Sequence, residues 1–203
     1  MELELSVSEA SAPVSVEKIG SFIISLQKEN GEIPWSAGGK TDPWDHVESA
    51  MGLSAAGFYT EAEKAYEWLA STQLEDGSWW SEIQDGKIIN SCKESNFAAY
   101  VAVGVFHHYL VTRDEKFLKK MWHTIAQGIQ FAINLQAPDG EIYWARNKHG
   151  AADKMALLTG SSSIYMSIKC ALAVADRLGK KRAGWRKAMD ALGQHVPIVT
   201  STH

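Results

Sequence analysis

The stretch Tyr66–Trp80, YEWLASTQLEDGSWW, reads as the end of an amphipathic helix followed by a tight turn. Trp68 and Leu69 are placed to face inward, Gln73 closes the helical run, and Asp76-Gly77 supplies turn chemistry. Gly accepts a positive φ there and Asp bonds its own backbone. The same pattern occurs twice more. Phe22-Ile23-Ile24-Ser25-Leu26-Gln27 leads to Asn30-Gly31-Glu32-Ile33-Pro34-Trp35, and Phe131-Ala132-Ile133-Asn134-Leu135-Gln136 leads to Asp139-Gly140-Glu141-Ile142-Tyr143-Trp144. In each copy an aromatic residue stands five before the Gln, Asx-Gly begins three after it, and a Trp follows shortly. Four landmarks in three copies mark an internally repeated architecture.

Working outward, a first helix over about Val16–Lys28 carries the stripe Ile19, Phe22, Ile23, Leu26. A second begins at TDPWDHVE, where Thr41 or Asp42 suits the N-cap, Pro43 the first position and Asp45 the first turn. It continues through SAMGLSAAGF, small-residue-rich and set for close packing. Thr60 caps a third helix ending at Gln73. A loop from Ser81 to Asn90, turning at Asp85-Gly86, leads to a capping box at Ser91 and Glu94 and the all-round apolar helix NFAAYVAVGVFHHYL. An amphipathic helix then runs to the third turn. A longer loop, Ala145–Thr159, precedes a Ser/Ala-rich helix over Ser161–Leu178, and Lys180–Gly193 holds a seventh helix. Residues 1–15 form a lead-in, 16–195 the domain and 196–203 a tail.

Amphipathic helices ending in Gln-x-x-Asx-Gly therefore alternate with small-residue-rich helices that follow aromatic loops. Amphipathic helices belong outside and apolar ones inside, which is the logic of an all-α fold, an α/α toroid with its long loops gathered at one mouth. A hydrophobic share of 45% with 22% charged residues is that of a globular protein. The net charge of −4 argues against a nucleic-acid partner. No apolar run approaches the roughly 20 residues a membrane span needs. Cys92 and Cys170 make no disulfide framework, and MELELSVSEA carries no secretory apolar region, so a reduced, cytoplasmic protein is expected.

Gln-x-x-Asp-Gly-Ser-Trp after an aromatic-Leu pair resembles the QW repeat of the squalene (terpenoid) cyclase and protein prenyltransferase toroids. In that family the Gln meets backbone and the Trp ring stacks over it. The resemblance lands on Gln73, Gly77 and Trp79, and more loosely on Gln27, Gly31, Trp35 and on Gln136, Gly140, Trp144. The six-hairpin glycosidases share the architecture, and TRDEKFLKKMWHTIAQGIQFAINLQAPDGEIYW is equally similar to theirs. Complete rings of either kind have about twelve helices, and about seven are legible here. The resemblance thus implies a partial ring: a fragment lacking a C-terminal half, a half-ring completed by self-association, or part of a split protein. The chemical signatures of the isoprenoid enzymes, Asp-Asp-x-x-Asp, Asp-x-Asp-Asp and a zinc set, do not occur. No metal and no cofactor is expected.

If the inner helices start at the mouth, their first residues line it. Asp45, Glu48 and Glu94 are the candidate catalytic carboxylates, since a carboxyl in an aromatic pocket is tuned toward acid–base work. The plainer reading makes Asp42 and Asp45 caps and Glu94 half of the capping box. Trp44, His46, Trp80, Asn96, Tyr100, Tyr143, Arg146 and Tyr165 are the candidate substrate contacts. His46 has no second His at helical spacing and is not read as a metal ligand. Trp35, Trp79 and Trp144 read more simply as the clasp of the repeat. Met51, Met121, Met155 and Met166 read as core, and Gly38-Gly39-Lys40 lacks the spacing of a phosphate loop. Three functions follow. The leading one is a prenyltransferase- or terpenoid-cyclase-like protein handling an isoprenoid in an aromatic cavity. The alternative is a carbohydrate-active hydrolase, lyase or epimerase using the mouth carboxylates, and the third is a non-catalytic repeat scaffold.

Overall fold

In the computed structural model, residues 15–195 are described, and the lead-in and tail expected from sequence fall outside them except for their inner edges. The described residues hold helices α1 (Val16–Leu26), α2 (Pro43–Ala55), α3 (Tyr59–Thr72), α4 (Ser95–Thr112), α5 (Glu115–Ile133), α6 (Leu158–Arg177) and α7 (Ala183–Gly193). The three repeated turns end α1, α3 and α5 in one way. Gln27, Gln73 and Gln136 each donate their side-chain N–H to their own turn, at Gly31 O, Gly77 O and Gly140 O. The same nitrogen reaches the next outer helix, at Glu61 O of α3, Thr124 O of α5 and Ala188 O of α7, over 2.9–3.0 Å. The turn glycine has positive φ and lies so close to that helix that a Cβ on Gly77 would stand 2.3 Å from Gln127 O.

Helices α2, α4 and α6 form the inner layer, with α4 packed against both α2 and α6, and α1, α3, α5 and α7 lie outside them. The core fills the seam between the layers. Val47, Ala50 and Leu53 of α2, Ala98, Ala102 and Val105 of α4 and Ile164, Ile168 and Ala171 of α6 are buried there. The expected α/α toroid is the observed architecture, present as an arc of three hairpins and a seventh helix.

Local details depart from the sequence reading. Helix α3 starts at Tyr59 after Phe58, with no side-chain cap, because the chain leaves α2 through a turn closed by Phe58 N to Leu53 O at 2.9 Å. Thr60 is therefore inside the helix. Ser81–Asn90 is not a plain loop: β1 (Glu82–Gln84) and β2 (Lys87–Asn90) pair antiparallel around Asp85 and Gly86, both at positive φ. That is the two-residue turn whose twist suits a hairpin. The capping box does not form. β3 (Lys93–Glu94) pairs with β4 (Ala145–Arg146), which pairs with β5 (Ala152–Asp153), and this draws Glu94 out of the helix into the N-cap position without a side-chain cap. Met155 and Met166 are exposed rather than core.

Candidate functional site

The site is built where α2 and α4 begin. Asp42 caps α2, its Oδ1 accepting the Asp45 amide at 2.9 Å while its Oδ2 accepts the Trp35 indole N–H. Trp35 is 54% exposed, with Lys40 Nζ 4.1 Å from its ring centroid. Lys40 is also paired with Glu82 of β1, and β1 is tied to the start of α2 by the Thr41–Ile83 bridge. At the second residue of α2, Trp44 stacks on Tyr100 of α4 with centroids 3.7 Å and planes 7° apart. Glu48 Oε1 accepts from the Trp44 indole at 2.9 Å and from the Tyr100 hydroxyl at 3.4 Å. At the head of α4, Glu94 Oε2 accepts the Trp144 indole N–H at 3.2 Å.

These groups converge. Trp35, Asp42, Trp44, Asp45, Glu82, Glu94 and Phe97 line a cavity of about 250 Å³. A groove of about 570 Å³ adjoins it, sharing Trp35 and Asp45 and running past Glu48 to Ile19 and Phe22 of α1. Four carboxylates face one small aromatic space, and two of them, Asp45 and Glu94, are shifted by it. The Asp45 carboxyl is pushed up to about 6, first by burial, then by Asp42, which repels its charge and accepts a hydrogen bond from its protonated form, and by Glu48. Glu94 is also raised, chiefly by burial, with Asp42 and Glu82 adding repulsion against the hydrogen bonds from Ser81 and Trp144. A carboxyl titrating near 6 holds a proton in a useful fraction of molecules near neutrality and can give it to a leaving oxygen. Among the described residues no cluster of three His, Cys, Asp or Glu side chains is arranged to hold a metal ion.

The structure brings Asp45, Glu94 and Trp44 to this cavity, with Glu48 and Tyr100 directly behind Trp44. It sends His46 elsewhere. His46 is 1% exposed, its Nδ1 accepting from Ile33 N at 3.1 Å and its Nε2 donating to Ala65 O at 2.9 Å. Both ring nitrogens are consumed in joining the first turn to α3, and burial pushes its pKa down to about 4. Trp80 faces a separate hollow of about 420 Å³ beneath the β1–β2 hairpin, with Lys93 Nζ over its ring. Tyr165 packs in the α6–α7 seam against Gly193, and Tyr143 packs against the core. Asn96 Oδ1 and Arg146 Nε are buried without a protein partner, and the Arg146 guanidinium lies over Phe131.

Sequence reasoning missed Phe97 and Glu82, and it assigned Trp35 and Trp144 to the clasp. A signal for the last two existed. Counting from the turn glycine, Ile33, Trp79 and Ile142 all fall at the second position and are all buried, so Trp79 is the clasp residue, its indole donating to Leu69 O at 3.0 Å. Trp35 and Trp144 fall at the fourth position and reach the mouth.

No protein-family profile matches the chain. A curated relative, the MMP endo-(1,4)-3-O-methyl-α-D-mannosidase of Mycolicibacterium hassiacum, is 45% identical over 184 residues, 91% of this chain and 51% of that protein. The chain thus spans about half the length of the curated relative it matches. Among solved structures, the family 76 glycoside hydrolase (mannosidase) of Bacteroides thetaiotaomicron superposes with a TM-score of 0.60 at 12% identity, over 81% of this chain and 46% of that one. The cellobiose 2-epimerase of Spirochaeta thermophila does so with a TM-score of 0.65 at 13% identity, over 86% and 49%. These likenesses place the fold with the α/α toroids of glycosidases and epimerases. The mannosidase relative overturns the isoprenoid reading: the QW-like turns signal toroid construction, and the prenyltransferase and terpenoid-cyclase (transferase) assignment drawn from them was wrong.

Proposed function

We propose that this chain carries the acid–base half of a glycoside hydrolase site acting on α-mannosidic chains that bear O-methyl groups. The observation that carries the reading is the 45% identity to an endo-acting O-methyl-mannosidase over 184 residues, 91% of this chain. The geometry fits sugar chemistry. Asp45, raised to about 6, donates the proton to the departing glycosidic oxygen. Glu94 supplies the second carboxyl from the facing helix, held by Trp144. The stacked Trp44–Tyr100 pair offers a flat apolar surface suited to a sugar ring and its methyl substituents, and Glu48 holds that pair in place.

The test is a tryptophan-fluorescence titration and a mass-spectrometric cleavage assay with 3-O-methylated α-1,4-mannan oligosaccharides beside their unmethylated counterparts. Saturable binding that favours the methylated chains is expected, weakened at least tenfold by Trp44→Ala. Any turnover should fall by two orders of magnitude or more in Asp45→Asn. A chain that melts cooperatively yet neither binds nor cleaves either polysaccharide overturns the reading.

A further inference from the structure

Each outer helix that follows another receives the same two contacts. α3 takes Gln27 at Glu61 O and Gly31 at Lys64 O, and α5 takes Gln73 at Thr124 O and Gly77 at Gln127 O. α7 takes Gln136 at Ala188 O and Gly140 at Ala191 O. The acceptors are three residues apart every time. In α3 and α5 they lie twelve and nine residues before that helix's own terminal glutamine. The same count on α1 lands on Ser15 and Lys18. Among the described residues nothing reaches those two carbonyls except the helix's own backbone, Ile19 N bonding Ser15 O at 3.1 Å.

The side chains tell the same story. Eleven, eight and five residues before the glutamine, α3 has Ala62, Ala65 and Trp68, and α5 has Ile125, Gly128 and Phe131. All the non-glycine residues among them are buried, and at Gly128 the backbone of the preceding inner helix is so near that a Cβ would lie 2.2 Å from Ala98 O. In α1 the equivalent residues are Val16, Ile19 and Phe22, and all three are exposed, Phe22 at 63%. The aromatic landmark that is covered in two copies of the repeat is bare in the first.

We propose that this face of α1 is the receiving surface for one further α/α hairpin, an outer helix ending in Gln-x-x-Asx-Gly followed by a small-residue-rich inner helix. Its turn docks on Ser15 O and Lys18 O. Its inner helix covers Val16, Ile19 and Phe22 and walls the groove of about 570 Å³ that runs on to Trp35, Asp45 and Glu48. A second copy of this chain does not fit the role, because its three clasp glutamines are already engaged by its own helices. The occupant is thus a different hairpin, and it completes one wall beside the mouth carboxylates. This inference does not depend on which substrate the site takes.

The experiment is co-expression of the 203-residue chain with a tagged second polypeptide, the half of the Mycolicibacterium hassiacum relative that this chain does not match. A one-to-one complex is expected on size-exclusion chromatography with light scattering. Phe22→Asp and, separately, Ile19→Asp should weaken it at least tenfold while leaving the melting temperature of the chain alone unchanged, since both side chains are exposed. Absence of a complex, or one indifferent to both substitutions, overturns the proposal. So does a dimer of the chain alone that Phe22→Asp abolishes, because the occupant is then a second copy. Sugar binding is not among the readouts, so failure here is distinct from failure of the glycosidase reading.

Discussion

Trp79 and Trp35 stand in two copies of one repeated turn, and they do opposite things. Trp79 is 5% exposed and its indole closes onto the backbone of α3; Trp35 is half out in solvent and its indole holds a carboxylate of the mouth. Two residues of register separate them. The residue two after the turn glycine is buried in the seam between layers and the residue four after it reaches the mouth, so the backbone between them does not run on as a regular strand, in which side chains two apart would share a face. A repeat fixes positions rather than residue types. A tryptophan at one position is mortar, and at the other it is part of the site.

The largest difference is expected when both rings are truncated. Trp79→Ala should cost about 3–5 kcal/mol of stability, the range for an aromatic removed from a packed core. Trp35→Ala should change stability by about 0.5 kcal/mol or less, as for exposed positions generally. Equal losses in denaturant melts would erase the distinction between mortar and site.

Next in size is the pH response of His46, a mouth candidate that belongs to the mortar. Its pKa is about 4 in the folded chain against 6.5 ordinarily, so the unfolded chain binds the proton more readily. Stability from this residue is therefore intact above pH 6.5 and is lost as pH falls toward 4, by about 3 kcal/mol in total. His46→Gln, which keeps an acceptor for Ile33 N and a donor for Ala65 O, should flatten the melting temperature over that window. An unchanged acid slope would place the titration elsewhere.

Smaller again is the clasp itself. Gln73→Ala removes a donor shared by Gly77 O and Thr124 O, and a loss of about 1–3 kcal/mol is expected for carbonyls left without that partner. Gln27→Ala should cost less than Gln73→Ala. Its bonds join the turn after α1 to α3 at the edge of the arc, and its contact to Gly31 O is longer, 3.2 Å against 2.9 Å. Reversal of that ranking in parallel urea titrations would mean that the arc is not held most firmly at its middle.

The fold was readable because everything that makes it is local. Gln, Asx-Gly and the aromatic landmark sit within a few residues, and the alternation of amphipathic with small-residue-rich helices follows from spacing alone. The site was readable only where it also obeyed helix geometry. Asp45, Glu48 and Trp44 share a face of α2, whereas His46 falls on the stripe of Val47, Ala50, Leu53 and Ser54 that turns to the core. That stripe is visible in the sequence and places His46 in the core rather than at the mouth. Glu82 was not legible in the same sense. Its place depends on the β1–β2 hairpin bridging back to Thr41, a pairing across some forty residues that no local pattern announces. Glu94 is legible as a candidate carboxylate, but the capping box read beside it does not form, because the β3–β4 pairing that pulls it into extended backbone joins segments more than fifty residues apart.

The subtlest prediction concerns the bond between the two regions, the Trp35–Asp42 contact. Asp42 both caps α2 and raises the Asp45 carboxyl, by charge and by accepting its proton's hydrogen bond. Asp42→Asn retains an oxygen for the Asp45 amide but removes the negative charge, so Asp45 should ionise at lower pH. If Asp45 delivers the proton, glycosidase activity falls as pH rises through about 6, and in Asp42→Asn that falling limb should move to the acid side while the maximal rate on the plateau below it changes much less. Trp35→Phe should act the other way and more weakly. Losing the indole donor leaves the Asp42 carboxylate a stronger acceptor for the Asp45 proton, so Asp45 holds that proton more firmly and the limb drifts toward higher pH. Opposite displacements from the two substitutions mark the tryptophan as a positioning residue acting through Asp42. A limb that moves the same way in both, or in neither, would leave Trp35 as a sugar contact alone.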